Sequence, residues 1–282
     1  MPYWTDQAWE EARLLPLDHE ASNLKMDSAR GVRVSLGVDE TRALLQDVPE
    51  TYHTQINEVL LTALGRTIGA WIGEGHIVVD LEGHGREEEI GDVDLSRTVG
   101  WFTAIFPVLL KVSETEDLGT ALKRVKEQLR GIPQHGIGFG MLKYLSEDES
   151  VREQMRVIQF GQVNFNYLGQ FDQVAEDNAL IKGAKESAGP AQSLKNPLPT
   201  LITVNSSVQG RRLEMIWTYS EIVHRRETIE WLAEKYLDSL REIIAHCQAA
   251  ETEEFTMSDF PLSGLDQGQF DRLSTLISEL DN

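Results

Sequence analysis

Apolar residues recur along this chain with two different periods, and the two periods are interspersed. From residue 54 to residue 72 they return every three or four positions, as on one face of a helix. In QVNFNYL (162–168) they alternate with polar residues, which is typical of a strand. Helical spacing returns at 117–130 and 228–247. Because helices and strands follow one another along the chain, the sequence predicts a mixed α and β fold.

Shorter segments complete the predicted secondary structure. A helix over 40–47 should begin at the cap Asp39 and end before Pro49. Residues 172–199 are rich in Gly and Pro, which predicts a loop. We also expect a helix around residues 4–14 and a last helix over 266–282. Apolar runs predict the remaining strands, at 31–38, 76–81 and 107–112 and in a hairpin around Gln209-Gly210.

Acidic residues far outnumber basic ones, which limits the partners that the chain can have. With 46 Asp and Glu against 26 Lys and Arg, the formal net charge is −20. Such a chain repels phosphate backbones and anionic lipid, so we expect neither nucleic acid nor a membrane surface as a partner. No stretch approaches the length of about 20 apolar residues that a membrane span needs.

Cys247 is the only cysteine of the sequence, which excludes an intramolecular disulfide and a cysteine zinc cluster. The acidic N-terminus, MPYWTDQAWEEARLL, lacks the basic start and the apolar run of a signal peptide. Both features suit a reducing compartment, and we therefore expect a cytoplasmic location.

Two groups of polar residues near the strand at 76–81 could carry chemistry. Glu82 begins EGHGRE directly after this strand, and the glycines beside it permit a tight turn at a cleft. Glu82 is therefore either a general acid or base or a solvated charge in a glycine turn. His76 and Asp80 lie four positions apart, on one side of the strand. They are a metal pair, a catalytic pair, or two residues at the ends of a strand.

Three further motifs contain candidate ligand contacts. In GIGFG (136–140), Gly138 and Gly140 would let a backbone approach a ligand, although a flexible connector is the favoured interpretation. Trp101 and Phe102 precede a strand and belong either to the core or to a pocket wall. Asn166 and Tyr167 are neighbours on one strand, so one of them faces the interior.

Four long motifs then occur in a fixed order that resembles one protein family. Together they are similar to the late core motifs of epimerization domains of nonribosomal peptide synthetases, which belong to the condensation-domain superfamily. INEVLLTALGRTI (56–68) and TMSDFPLSGLDQGQFDRL (256–273) resemble the segments before and after these motifs. EGHGRE and NFNYLGQFD favour the epimerization branch. The four motifs are VDLEGHGRE (79–87), DLSRTVGWFT (94–103), IPQHGIGFGMLKYL (132–145) and NFNYLGQFD (164–172).

The resemblance implies an α+β fold: a lobe of the chloramphenicol acetyltransferase type, with a mixed sheet flanked by helices. This lobe is the second half of a two-lobe domain. Residues 1–30 would be the tail of the first lobe, 31–255 the second lobe, and 256–282 an exit linker and terminal helix. The family's HHxxxDG motif, which lies in the first lobe, does not occur here, because Gly75 precedes His76 and Leu81 follows Asp80.

The resemblance also implies an isomerase that inverts the α-carbon of an aminoacyl or peptidyl thioester. Glu82 matches the family's catalytic carboxylate. Arg86 would position Glu82, while Asn166 and Tyr167 would orient the thioester or the enolate. Because HHxxxDG is absent, we expect the isolated chain to be inactive. The resemblance places further substrate contacts at Trp101, Phe102, Gly138 and Gly140.

No metal is implied, and no cofactor is expected to bind directly, since the substrate arrives on the 4′-phosphopantetheine of a peptidyl carrier protein. The expected partners are this carrier protein and the lobe that carries HHxxxDG, with a downstream synthetase module as a further candidate. Two alternatives stay open. In the first alternative, the chain is a condensation-type acyltransferase lobe that forms peptide bonds. In the second, it is a non-catalytic lobe that docks a carrier protein.

Overall fold

A six-stranded mixed sheet lies at the centre of the structure. The computed structural model describes residues 1–86, 94–95, 97–171, 189, 191–250, 252–260, 269 and 272. The strands are β1 (Ala29–Ser35), β2 (Gly75–Gly83), β3 (Ala104–Val112), β4 (Val163–Gln170), β5 (Ile202–Gln209) and β6 (Arg212–Ser220). Across the sheet the strand order is β1-β6-β5-β4-β2-β3. The neighbours β5, β4 and β2 run parallel, and the other pairs run antiparallel.

Seven α-helices accompany the sheet in the described part of the chain. The helices are α1 (Pro2–Thr5), α2 (Val38–Tyr52), α3 (Ile56–Ile72), α4 (Leu118–Arg130), α5 (Gly138–Gly140), α6 (Glu149–Arg156) and α7 (Arg226–Ala249). The two longest, α3 and α7, pack against each other, and α2 and α4 pack beside them. Short 3₁₀ segments occur at Trp9–Glu11, Met26–Ser28, Pro133–Gly136 and Met257–Asp259, and a π-helical turn at Met141–Leu145.

The core lies between the sheet and the long helices. Alternate residues of β6 are fully buried, as the period of a strand requires; they are Leu213, Met215 and Trp217. Helix α3 approaches the end of β3 closely. A Cβ at Gly69 would lie 2.7 Å from backbone atoms of Ser113, so only glycine permits this contact. The predicted strands, the hairpin of β5 and β6 and the three long helices are all present.

Three predicted elements differ in the structure. Helix α2 is longer than predicted, because it is capped at Gly37 rather than at Asp39 and continues through Pro49. The Gly37 amide donates to Glu40 Oε2 at 2.6 Å. Burial of Val48 and Tyr52 against the core outweighs the one backbone hydrogen bond that proline removes near the helix end.

The other differences lie at residues 4–14 and at 136–145. The predicted N-terminal helix is reduced to α1 and a 3₁₀ turn, and the glycine-rich connector becomes the start of the helical segment 138–145. Helix α6 was not predicted, since only Val151 and Met155 supply apolar side chains to its eight residues. Most of the predicted loop at 172–199 and of the last helix over 266–282 lies outside the described residues.

The N-terminal residues pack on the same core as the rest of the chain. Trp4 is buried, with its ring 5.0 Å from that of Phe139 between centroids. The Leu15 amide donates to Gln162 Oε1 at 2.7 Å, and the Arg13 amide donates to the carbonyl of His76 at 2.7 Å. The division of the chain at residues 30 and 255 stays a prediction.

Among the helices of the described residues, none is long and apolar enough to cross a bilayer.

Candidate active site

The parallel strands β2 and β4 bring two of the predicted residues together. Leu81 lies opposite Phe165 in the register, so Glu82 and Asn166 occupy the next position along the two strands. Asn166 Nδ2 donates a hydrogen bond to Glu82 Oε2 at 3.0 Å. The bond joins residues 84 positions apart in the sequence, one near the carboxyl end of β2 and the other in the middle of β4.

Asn166 is held from its other side as well. Its backbone carbonyl accepts a hydrogen bond from Ser206 Oγ at 3.2 Å, and Asn205 of β5 is its register partner. Asn166 therefore sits on the central strand of three parallel strands. Backbone hydrogen bonds on both sides of β4 limit its movement, so the amide offers a fixed donor to the Glu82 carboxylate.

A cavity of about 350 Å³ lies beside Glu82. It is bounded by the end of β2, the middle of β4, the first turns of α3 and the end of α4. Polar side chains of Gln55, Asn57 and His84 also line it. The cavity walls include six apolar side chains, which are Leu61, Leu81, Phe106, Leu129, Ile132 and Phe165. Glu82 is half-buried and belongs to this lining. Its hydrogen bond to Asn166 places the carboxylate itself on the other face of the sheet from the cavity residues Leu81 and Phe165.

Tyr167 lines the same cavity. Successive residues of a strand point to opposite faces, so Tyr167 and Asn166 lie on opposite sides of β4. Burial raises the pKa of the Tyr167 phenol above its usual value. The phenol therefore stays protonated at neutral pH and can donate a hydrogen bond.

An ion pair closes one wall of the cavity. Arg130 Nε lies 2.9 Å from Glu58 Oε1, and the Gln55 amide donates to Glu58 Oε2 at 2.7 Å. Burial raises the pKa of Glu58, while the contacts with Gln55 and Arg130 act in the opposite direction. Each charge of this pair has a partner within the protein, so neither needs a ligand.

Arg86 turns toward the segment that carries the predicted aromatic residues. Its guanidinium donates to the carbonyls of Leu95 and Gly100, at 3.2 and 3.3 Å, and lies 4.6 Å from the centre of the Phe102 ring. Trp101 is 86% exposed and therefore does not belong to the core. In this arrangement Arg86 contacts Leu95, Gly100 and Phe102, and a role for it at Glu82 stays a prediction.

The glycines of GIGFG differ in what they do. At Gly136 the backbone has a φ of +83°, and a Cβ would lie 2.1 Å from an atom of the Phe106 ring. At Gly138 and Gly140 a Cβ would enter open space. The packing therefore requires glycine only at the first of the three positions, and contact of Gly138 and Gly140 with a substrate stays a prediction.

His76 and Asp80 have different partners. His76 Nδ1 lies 3.3 Å from Glu11 Oε2 near the surface, whereas Asp80 is 3% exposed and accepts a hydrogen bond from the Gly161 amide at 2.8 Å. Burial raises the pKa of Asp80 to about 7. Of the three interpretations offered by the sequence, these contacts favour two residues at the ends of a strand.

Comparison with known proteins places the chain in a family. A family model described as "Condensation domain" matches residues 1–263. The chain belongs to the condensation-domain family. This confirms the family that the four motifs predict.

Curated relatives of this condensation-domain chain are peptide antibiotic synthases. One of the linear gramicidin synthase polypeptides of Brevibacillus parabrevis is 46% identical over 271 residues, which is 95% of this chain and 4% of that protein. Tyrocidine synthase 1 of Brevibacillus parabrevis is 34% identical over 290 residues, which is 99% of this chain and 26% of that protein. The chain therefore spans a small part of the length of these relatives.

Solved structures confirm the predicted fold class. The epimerization domain from the third module of tyrocidine synthetase B matches with a TM-score of 0.81 and 32% identity, over 89% of this chain and 56% of that chain. The X-domain from teicoplanin biosynthesis matches with a TM-score of 0.62 and 16% identity, over 86% of this chain and 53% of that chain. At that identity the second match shows the fold alone.

Two histidines that line the cavity were not predicted from the sequence. His84 lies in EGHGRE and lines the cavity, and its Nδ1 accepts a hydrogen bond from the Arg86 amide at 3.0 Å. Its position two residues after Glu82 could have indicated this. His135 also lines the cavity. The backbone turns there, because Gln134 and His135 both adopt left-handed conformations. No local pattern in the sequence indicates that conformation.

Proposed function

We propose that this chain is part of an epimerization domain of a nonribosomal peptide synthetase. Together with a lobe carrying HHxxxDG, it inverts the α-carbon of an aminoacyl or peptidyl thioester held on the phosphopantetheine of a carrier protein. The observation that carries the proposal is the half-buried Glu82 carboxylate, which accepts a hydrogen bond from Asn166 Nδ2 at 3.0 Å. The 32% identity with a solved epimerization domain supports it, since three solved relatives of other kinds are 15–20% identical.

Glu82 acts as the base in this proposal. The thioester carbonyl acidifies the hydrogen on the α-carbon, and a carboxylate within about 3 Å can remove it. The C–H bond breaks, its electron pair forms the C=C bond of an enolate, and the proton passes to Glu82. Asn166 occupies Oε2, which leaves Oε1 free to face the substrate.

A hydrogen-bond donor must stabilise the charge that develops on the thioester oxygen, a role that the resemblance implies for Asn166 and Tyr167. A donor fixed beforehand at this oxygen lowers the barrier more than a donor that must reorient. The phenol stays protonated at neutral pH because burial raises its pKa. Inversion requires a proton to return to the opposite face of the enolate, and an imidazole of the HHxxxDG lobe supplies it in this proposal.

The test combines the chain with the HHxxxDG lobe and an L-aminoacyl carrier protein in D₂O. We expect deuterium uptake at the α-carbon and formation of the D-aminoacyl product, and no product from the chain alone. The variant Glu82→Gln should reduce exchange by about 100- to 10,000-fold, the usual contribution of a general acid or base. The control Glu74→Gln removes an exposed carboxylate just before β2 and should exchange normally.

Four outcomes would contradict the proposal. Exchange by the chain alone removes the need for a second lobe, and normal exchange by Glu82→Gln removes Glu82 from the mechanism. Condensation is the second candidate, because the family model bears that name. Formation of a peptide bond with an acceptor aminoacyl carrier, without deuterium uptake, would establish it. Carrier-protein binding that ignores Glu82, with no turnover, would instead indicate a docking lobe.

A further inference from the structure

We propose that Asn205 is a further catalytic residue, whose carboxamide donates a hydrogen bond to the thioester oxygen of the substrate as the enolate forms. The proposal rests on the proposed function, because it takes the α-carbon to react at Glu82. It adds to the site a residue of β5, a strand that lies outside the four motifs.

Strand register places Asn205 on the same face of the sheet as Glu82 and Asn166. Asn205 is the register partner of Asn166, which in turn bonds to Glu82 at 3.0 Å. The neighbours of Asn205 along the strand, Val204 and Ser206, point to the core face, where Val204 is fully buried. The side chains of Glu82, Asn166 and Asn205 therefore form one row across β2, β4 and β5.

The carboxamide of Asn205 is available to a ligand. It is half-buried and makes no hydrogen bond to any residue that the structure describes. The next residues of β5 on this face, Thr203 and Ser207, are already paired. Thr203 Oγ1 lies 2.9 Å from Thr200 Oγ1, and Ser207 Oγ accepts from Gln209 Nε2 at 3.2 Å. Because β5 is bonded to β4 on one side and to β6 on the other, the backbone holds the free amide in place.

The donors assigned to the site so far are engaged or lie elsewhere. Asn166 Nδ2 holds Glu82 Oε2, and Tyr167 lies on the opposite face of β4, beside the cavity. Arg86 donates to two backbone carbonyls of the segment 95–102. Charge that develops on the thioester oxygen on the Glu82 face therefore needs another donor, and Asn205 supplies it.

The spacing of the strands fits the geometry of this reaction. Neighbouring strands lie about 4.8 Å apart, so β2 and β5, on either side of β4, are roughly 10 Å apart. A carboxylate contact of about 3 Å, the bonds from the α-carbon to the carbonyl oxygen, and a hydrogen bond of about 2.9 Å together span roughly 8 Å. An α-carbon held over β4 thus reacts with Glu82 while its carbonyl oxygen faces Asn205.

Asn205 takes part without gaining or losing a proton. The C–H bond of the α-carbon breaks, its electron pair forms the C=C bond, and the π pair of the carbonyl moves to oxygen, while the proton passes to Glu82. The hydrogen bond from Asn205 strengthens in this step, because bonds to a charged acceptor are about twice as strong as bonds to a neutral one. Loss of one such fixed donor typically lowers the rate about 100- to 1,000-fold.

The first test measures deuterium exchange by the chain combined with the HHxxxDG lobe and an L-aminoacyl carrier protein. We expect Asn205→Ala to lower kcat about 100- to 1,000-fold and to raise KM less than tenfold. Its thermal unfolding should change little, since the carboxamide has no partner in the described part of the fold. Asn205→Leu, which has a similar shape and no hydrogen-bonding group, serves if Asn205→Ala does not fold. The control Thr218→Val removes a hydroxyl from the same face, on β6, and should exchange normally.

The second test measures the contact with the oxygen without turnover. Calorimetry compares two Nα-acetyl-alanyl analogues of the substrate on pantetheine. One is a ketone, with CH₂ in place of the thioester sulfur, and the other has CH₂ in place of the carbonyl as well. We expect the wild-type protein to bind the ketone about fivefold more tightly, the usual worth of one hydrogen bond. Asn205→Ala should bind the two equally, and Thr218→Val should keep the preference.

Normal exchange by Asn205→Ala, a ketone preference that survives in this variant, or loss of exchange in Thr218→Val would overturn the proposal. The two tests separate it from the proposed function. Exchange that does not depend on Asn205 leaves epimerization standing and removes Asn205 from the site. A ketone preference that depends on Asn205, without exchange by the wild-type protein, keeps the contact and removes epimerization. Absence of both exchange and preference removes both.

Discussion

Replacing Asp259 by alanine should destabilise the fold strongly, because it breaks a buried charge network. Asp259 Oδ2 accepts from Lys126 Nζ, whose side chain is 0% exposed, and Asp259 Oδ1 accepts from Arg130 Nη1 at 2.8 Å. The other partner of Lys126 Nζ is the carbonyl of Tyr52, at 2.6 Å. The substitution therefore leaves a buried ammonium with one neutral partner.

The expected loss is about 3–5 kcal/mol in the free energy of unfolding, the range measured when one partner of a buried ion pair is removed. A loss of this size lowers the melting temperature by roughly 10 °C in a chain of this length, at about 2–4 °C per kcal/mol. The matched control is Asp238→Ala. Asp238 pairs with Arg241 on the surface of α7 and is 60% exposed, so its loss should cost less than about 1 kcal/mol.

Urea unfolding at pH 7 measures the stability of both variants, and equal midpoints for them would refute the reasoning.

The pH dependence of stability provides a second check. Burial opposes ionisation of Asp259, but the hydrogen bonds from Lys126, the Thr256 amide and Arg130 hold its pKa below the usual value. Its stabilising contribution is thus present above about pH 4, the pKa of an unfolded aspartate, and is lost as the pH falls through the lower folded pKa. The difference between wild type and Asp259→Ala should shrink in that acidic range.

Three further predictions concern the sheet and the site. Burial raises the pKa of Asp80 to about 7, so the fold loses stability as the pH rises from about 4, where an unfolded aspartate ionises, to about 7. Asp80→Asn should therefore stabilise the chain at pH 8 by up to about 4 kcal/mol, and the gain should vanish below about pH 4, as urea unfolding at the two pH values would show. Gly136→Ala should lower the free energy of unfolding by about 1–3 kcal/mol, because the added Cβ overpacks against the Phe106 ring, whereas Gly138→Ala should leave it unchanged or raise it slightly. Thermal melts of the two variants compare them. Asn166→Ala should lower kcat for deuterium exchange with little change in KM, because the amide orients Glu82 rather than the ground-state substrate; an unchanged kcat would contradict this.

The sequence by itself determined most of the secondary structure and the family. Periods of two and of three to four residues are local properties, so the strand at 162–168 and the helix at 54–72 could be read from a few neighbours. The motif EGHGRE likewise marked Glu82 as a candidate without any knowledge of its surroundings. Local rules were wrong where packing outweighed them, as at Pro49, which lies inside α2.

The tertiary structure decided which of these elements meet. Glu82 and Asn166 touch only because β2 and β4 pair in parallel with Leu81 opposite Phe165, and nothing local in either strand encodes that register. The same holds for the contact of Lys126 with Asp259, which spans 133 positions. Strand order and register arise from the sum of many contacts between distant segments. The cavity beside Glu82 exists only in that assembled arrangement.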